Sequence, residues 1–230
     1  MKNAETGGAV SYHDDLAQRW EVKYESGGFA RRCRFFATKI LPLLPTGGEW
    51  LDAGCGTGTF SRLLAQDGRS VLGVDASQNM LHEAERRRDV EAGETVFRYV
   101  DTIERLPFPD RQFDGIICLS VIEYLEKPFD AIEEMTRVLI PGATVVISVP
   151  NRRSILRLLQ RMLLLLKNEN KSNIDYLSYS IFSTDVNNFS ANIKRFGLVC
   201  RAAIGFDPII PSWLHPVLKP SLIYFVCQKV

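Results

Sequence analysis

Hydrophobic positions in the first 45 residues recur at helical spacing. Leu16, Trp20 and Tyr24 form one stripe and Phe35, Phe36, Ile40 and Leu44 a second, until Pro45-Thr46-Gly47-Gly48 breaks the pattern. The period then changes. Apolar runs at 49–53, 70–74, 95–100, 113–119 and 144–149 predict buried strands, and amphipathic stretches at 59–66, 78–88 and 129–139 predict helices, the last closed by Pro141-Gly142. Strand and helix alternating at this rhythm imply right-handed βαβ crossovers and a parallel sheet covered on both faces.

Beyond the fifth strand the texture differs. Residues 152–167 predict a basic, leucine-rich helix, 168–180 are polar, 184–195 predict another helix, and strands follow near 198–203 and 222–228. With no linker in evidence, the chain reads as one domain: a helical cap (1–45), a core (46–150), a lid insertion (151–182) and a C-terminal helix with strands (183–230). Residues 1–8 are small and polar, and are expected to fray.

Composition narrows the function classes. A 230-residue chain with 46% hydrophobic and 24% charged residues supports a globular core, and a net charge of +1 argues against nucleic acid as an obligate partner. The five cysteines are odd in number and lack a CxxC pair, and the three histidines do not cluster, which points to reduced thiols in the cytoplasm and away from a zinc site. The N-terminus has no secretory pattern, and the apolar run at 155–166 is too short to span a bilayer. A cationic helix with a broad apolar side suits a membrane surface or a lipid-like substrate, but we read 152–167 as a lid that packs its leucines on the domain and keeps its arginines in water.

The chemistry concentrates on Leu51-Asp52-Ala53-Gly54-Cys55-Gly56-Thr57-Gly58, which follows a strand and opens a helix. Alternate glycines let a ligand approach the backbone, and the helix N-terminus offers free N–H groups. Asp75 ends the next strand, where a carboxylate can accept hydrogen bonds from ribose hydroxyls or cap the following helix. Asp52 inside the turn would repel a pyrophosphate but accept hydrogen bonds from an ammonium group. That favours an amino-acid-bearing nucleoside. The GxGxG spacing and the lack of a Tyr-x-x-x-Lys pair weigh against an NAD(P)-binding oxidoreductase.

Together Leu51–Gly58, Val74-Asp75, Asp101-Thr102, Phe113–Leu119 and Leu139-Ile140-Pro141-Gly142 resemble the successive motifs of class I S-adenosylmethionine (SAM)-dependent methyltransferases, over roughly Trp50 to Asn151. In motif spacing the chain is most similar to the ubiquinone-biosynthesis O-methyltransferase group and its small-molecule relatives. The resemblance implies a Rossmann-like α/β fold, with a seven-stranded, mostly parallel sheet, helices on both faces and a helical cap. It implies SAM as cofactor, with Arg34 on the methionine carboxylate, Asp52, Ala53, Gly54 and Gly56 near the methionine end, and Asp75 on the ribose. Ala76 and Met80 would flank the adenine, Asp101 would accept its amino group beside Thr102 and Ile103, and Leu119 and Ser120 would line the mouth of the fourth strand.

One departure bears on the acceptor. The group's Glu-x-x-Glu-His run is here Ser120-Val121-Ile122-Glu123-Tyr124, which keeps one acid and loses the other acid and the histidine. A lone carboxylate is a poor Mg²⁺ site, so no metal is expected. An activated sulfonium methyl needs an aligned acceptor and, for a hydroxyl, a base; Glu123 and Tyr124 are the expected catalytic residues. His215 is expected on a surface loop. Tyr12, Trp20 and Tyr24 suit either closure over SAM or core packing. The expected reaction is methyl transfer to a small-molecule hydroxyl without metal. A small amine as acceptor, or a non-catalytic protein that kept the pocket, remains open.

Overall fold

In the computed structural model the described residues are 6–20, 24, 26–88, 93–166, 177 and 179–230. The expected fraying of Met1–Glu5 and most of the polar stretch 168–180 lie outside them.

Two helices, α1 (Thr6–Trp20) and α2 (Gly27–Phe35), precede the sheet; α2 runs on through a π-helical turn (Phe36–Ile40) and a 3₁₀ turn (Leu41–Leu43). The predicted helical stripe is thus interrupted at Ser26-Gly27-Gly28, where Ser26 is extended (φ −147°, ψ 171°). Then come β1 (Glu49–Ala53), α3 (Thr59–Gln66), β2 (Ser70–Asp75), α4 (Gln78–Arg86), β3 (Thr95–Tyr99), β4 (Phe113–Leu119), α5 (Pro128–Val138), β5 (Leu139–Pro150), α6 (Ile155–Leu166), α7 (Val186–Ile193), β6 (Leu198–Phe206) and β7 (Leu222–Lys229).

The seven strands form one sheet in the order β3-β2-β1-β4-β5-β7-β6. All pairings are parallel except those of β7, which runs antiparallel to both β5 and β6. The Rossmann-like expectation is met. Sequence order reverses between β1 and β4, and such a switch point leaves a crevice at the carboxyl ends of the strands.

Burial explains the continuous apolar runs. Alternate residues of one strand enter opposite cores: Leu51 and Ala53 pack on one face and Trp50 on the other, and Ile223, Phe225 and Cys227 alternate with Leu222, Tyr224 and Val226 in the same way. Arg69, 2% exposed, ties the segment before β1 to the end of α3. Its Nε donates to the carbonyl of Pro45 at 2.9 Å, and its guanidinium lies 5.1 Å from the Trp50 ring centroid.

One expected boundary needs correction. Helix α5 ends at Val138, and Pro141-Gly142 lies inside β5 instead of closing the helix. Leu139 has turned extended (ψ 143°) and pairs with Phe113, so strand pairing begins before the proline. Gly142 takes φ +81° within the strand.

The lid expectation holds only in part: Arg152, Arg153 and Arg161 are exposed as expected, but several apolar residues are exposed as well. On α6, Ile155, Leu158, Leu159 and Met162 are exposed, Leu158 by 60%. Ser154 and Arg157 face inward instead, and Arg161 Nη2 donates to the Ser180 carbonyl at 3.0 Å. Polar residues at 154, 157 and 161 share one helical stripe, which turns toward the Ser180 carbonyl and the cavity. Among the described residues no helix is long and apolar enough to cross a membrane.

Helix α1 lies over the start of α4 through one residue. Asp14 Oδ1 accepts from Ser77 Oγ at 2.6 Å and from the Asn79 N–H at 3.1 Å, while Asn79 Nδ2 donates to Oδ2 at 2.7 Å. Asp14→Ala is expected to speed amide exchange and proteolysis within 6–20 while leaving exchange in β1 and β4 unchanged. A packing test lies at the sheet centre, where a Cβ on Gly115 would come within 2.5 Å of the Trp50 indole. Gly115→Val is expected to cost ~1–3 kcal/mol in urea unfolding through overpacking; an unchanged midpoint would refute the contact.

Candidate active site

A cavity of about 290 Å³ opens at the carboxyl ends of β1, β2 and β4. That is near the lower end of the roughly 300–1,000 Å³ usual for ligand clefts.

The turn after β1 forms its floor. Gly54 and Cys55 N–H groups both donate to the Val74 carbonyl, at 2.8 and 2.9 Å, joining the turn to β2. Gly54 has φ +82°, and a Cβ there would lie 2.3 Å from Val121 Cγ2, so no other residue fits. Over Gly56 (φ +53°) no heavy atom lies within 4 Å of a Cβ position, leaving its backbone open to a ligand.

Asp75 braces this turn. Its Oδ2 accepts from the Gly56 N–H at 2.8 Å and its Oδ1 from the Ser77 N–H at 2.9 Å. Ser77 caps α4, its Oγ accepting from the Met80 N–H at 3.1 Å. Burial raises the Asp75 pKa, opposed by those two backbone hydrogen bonds. Asp52, 2% exposed, accepts from Ser61 Oγ at 2.6 Å. Burial pushes its pKa from the ordinary 3.8 to about 7, the Ser61 bond opposing and the charge of Asp75 adding.

The opposite wall comes from the end of β4. Ser120 holds φ +59°, uncommon for a non-glycine residue, and its N–H donates to Ser148 Oγ at 2.8 Å. Glu123 is not solvent-facing. It is 2% exposed, its carbonyl accepts from the Ile181 and Phe182 N–H groups, and its Oε2 is buried without a hydrogen-bond partner. Burial raises its pKa, while the charges of Arg157, Arg32 and Arg161 and the Tyr124 hydroxyl pull the other way. Tyr124 lies beside it, its ring centroid 5.3 Å from that of His13.

Of the residues singled out from the sequence, Asp52, Gly54, Gly56, Asp75, Ala76, Met80, Asp101, Thr102, Ile103, Leu119, Ser120, Glu123 and Tyr124 all line this cavity. Asp101 sits exposed at the rim, and the Thr102 hydroxyl is shared with Glu104, whose Oε2 is 3.2 Å away. Ala53 lies outside the wall: as an inward position of β1 it is fully buried in the core.

Arg34 must also be corrected. It is exposed and away from the cavity, whereas Arg32 lines it. Two residues along a helix turn about 200°, so these arginines occupy opposite faces of α2. Arg32 shares its stripe with the fully buried Phe36 and Ile40, an i, i+4 signal already present in the sequence. Arg32 Nε donates to the Tyr224 hydroxyl at 2.8 Å and Nη2 to Ser148 Oγ at 3.3 Å, and its guanidinium lies 5.3 Å from the Phe60 ring centroid.

The N-terminal helices close the cavity with His13, Trp20, Tyr24 and Phe29. Tyr12 packs instead on Tyr179, with ring centroids 5.1 Å apart. His215 is remote from the cavity, its Nε2 3.1 Å from the Ile210 carbonyl oxygen. His13, Arg32 and Arg157 are among the wall residues that sequence reasoning missed. His13 was legible one turn before Ala17 and Trp20 on the inward stripe, whereas Arg157 carried only its spacing from Ser154.

Comparison with known proteins accords with this geometry. Residues 51–147 match the family described as "Methyltransferase domain". A mitochondrial ubiquinone biosynthesis O-methyltransferase of Arabidopsis thaliana is 32% identical over 122 residues, covering 52% of this chain and 38% of that protein. The ubiquinone biosynthesis O-methyltransferase of Hahella chejuensis is 32% identical over 147 residues, covering 62% and 61%. The chain thus spans less than two thirds of the length of each of these relatives. A chain from the complex between the Haloferax volcanii Trm112 methyltransferase activator and a putative methyltransferase superposes with a TM-score of 0.71 at 18% identity, covering 94% of this chain and 97% of that one; it establishes likeness of fold. With the glycine turn, the Asp75 brace and the sheet order on one crevice, the chain resembles the class I SAM-dependent methyltransferases in the sequence of residues 51–147 and in fold.

Proposed function

We propose that the protein methylates a hydroxyl of a small molecule without a metal ion, with Glu123 taking the hydroxyl proton. The observation that carries this is the Glu123 carboxylate, buried in the same cavity as the glycine turn with its Oε2 unpartnered. An unmet buried acceptor costs about 1–3 kcal/mol, and an acceptor hydroxyl would relieve it. Burial raises its proton affinity, as a base needs. The ubiquinone O-methyltransferase relatives support a hydroxyl acceptor. Metal independence is supported by the Ser120-Val121-Ile122-Glu123-Tyr124 run, which offers a single acid where a divalent ion would need several oxygen ligands.

The cavity suits SAM in its residues. Asp52 would accept from the ammonium group and Arg32 would pair with the carboxylate. Asp75 would take the ribose hydroxyls, Ala76 and Met80 would flank the adenine, and Asp101 would meet its amino group. The open backbone above Gly56 leaves room for close approach. When bound, the cofactor supplies a methyl group already activated by its sulfonium. The protein's part is to orient the acceptor, exclude water with the aromatic side chains of α1 and α2, and hold the departing proton at Glu123. In this scheme the N-terminal helices are the cap.

Three outcomes are expected. Glu123→Gln should lower kcat by roughly 10²–10⁴-fold with SAM affinity unchanged, and full activity in this variant would refute the assignment. S-adenosylhomocysteine (SAH) should raise the melting temperature of the wild type, and Asp75→Ala should abolish that shift; calorimetry finding no binding to folded wild-type protein would refute the cofactor site. Asp52 sets a pH dependence. Between pH 3.8 and about 7 the folded protein keeps a proton that the unfolded chain has lost, so the Asp52 contribution to stability falls as pH rises through that window. Melting curves of the unliganded protein should show this fall, and Asp52→Asn should flatten it. Because the ammonium group favours the charged carboxylate, SAM affinity should rise with pH over the same window.

A further inference from the structure

The transfer proposed above gives Arg157 no task, yet its placement is specific. It lies in the first turn of α6, its N–H donating to Ser154 Oγ at 3.3 Å, and its side chain leaves the exposed apolar face to line the cavity. Its Nη1 is buried with no hydrogen-bond partner. Glu123 Oε2, on the same cavity, is buried and unpartnered too, so neither atom satisfies the other. Arg32, the cavity's other guanidinium, is held by Tyr224 and Ser148 and is assigned above to the cofactor carboxylate. The chamber therefore presents one unmet cationic donor and one unmet anionic acceptor among apolar and aromatic side chains. A neutral phenol or alcohol could satisfy only the second.

We propose that Arg157 selects the methyl acceptor and that the acceptor is a hydroxylated organic acid, its hydroxyl turned to Glu123 and its carboxylate to Arg157. This rests on the methyl-transfer function above. A planar guanidinium matches a carboxylate through paired N–H donors, and a neutral analogue would leave the buried charge unmet. The pairing also assists the base. Arg157 is foremost among the charges that hold the Glu123 proton affinity down against burial; a carboxylate docked on Arg157 offsets that charge and leaves Glu123 readier to take the hydroxyl proton.

The test uses the full chain loaded with SAH. Binding of 2-, 3- and 4-hydroxybenzoate and of 3-hydroxybutanoate is compared with that of the matching carboxamides, by calorimetry or ligand-observed NMR. The expected result is that at least one acid binds the wild type ~10-fold or more tightly than its amide, about 1.4 kcal/mol. Arg157→Gln should bring that ratio to within about twofold, and Arg157→Lys should restore part of it. SAH affinity should stay the same in all three proteins, which also shows that the variants are folded. Equal binding of acid and amide, no binding of any acid, or a preference that survives in Arg157→Gln would overturn the assignment. A shifted pH profile in Arg157→Gln with the acid preference intact would make Arg157 a counter-ion to Glu123 and would equally overturn it. Failure of SAH to bind the wild type would instead refute the cofactor site beneath this proposal.

Discussion

The two hydrogen bonds to the Asp75 carboxylate are the constraint on which the site depends. One oxygen holds the Gly56 N–H of the turn after β1 and the other holds the Ser77 N–H at the start of α4. Ser77 passes the linkage on, accepting from the Met80 N–H and donating to Asp14 of α1. A single line of polar contacts thus runs from the N-terminal helix through α4 and β2 to the glycine turn. Charge-assisted bonds of this kind are short and directional, and they hold an irregular turn rigid where no ladder can. The cavity floor, one wall and the covering helix are positioned together.

Electrostatics then decides what the cavity can receive. Asp52 and Glu123 are buried and Asp75 half-buried, and in each desolvation raises the pKa. Three carboxylates held in one apolar crevice disfavour their charged forms unless cations or N–H donors arrive. Asp75 has backbone donors and Asp52 has the Ser61 hydroxyl, whereas Glu123 Oε2 has none. On that inequality rests the proposed division between binding residues and a proton acceptor. Arg32 and Arg157, on two helices outside the sheet, supply the opposing charge.

The exposed apolar face of α6 follows from the same balance. Ile155, Leu158, Leu159 and Met162 lie outward because the inner side meets a carbonyl and a charged cavity, which suit Arg157 and Ser154 better than apolar side chains. In α2 the reverse holds: the stripe of Arg32, Phe36 and Ile40 packs on Tyr224 and Phe60, and Arg34 faces water.

The sequence by itself determined the alternation of strands and helices and the turn at 51–58. It also determined Asp75 as the acid that follows the turn, because strand runs, glycine patterns and strand ends are local and periodic. It placed β1, α3 and β4 to the residue, and through motif order it pointed to the methyltransferase resemblance that residues 51–147 carry. Tertiary structure decided what depends on partners distant in sequence. It decided which of two arginines on α2 faces the crevice, and that Pro141-Gly142 continues a strand because Leu139 finds Phe113. It also decided that Ala53 belongs to the core and Arg157 to the cavity. A helical face is chosen by what packs against it, and a buried charge is defined by what surrounds it. Neither quantity is carried by a residue alone, so Glu123 could be named as an acid from its position but recognised as an unmet one only once Ile181, Arg157 and Arg32 had closed around it.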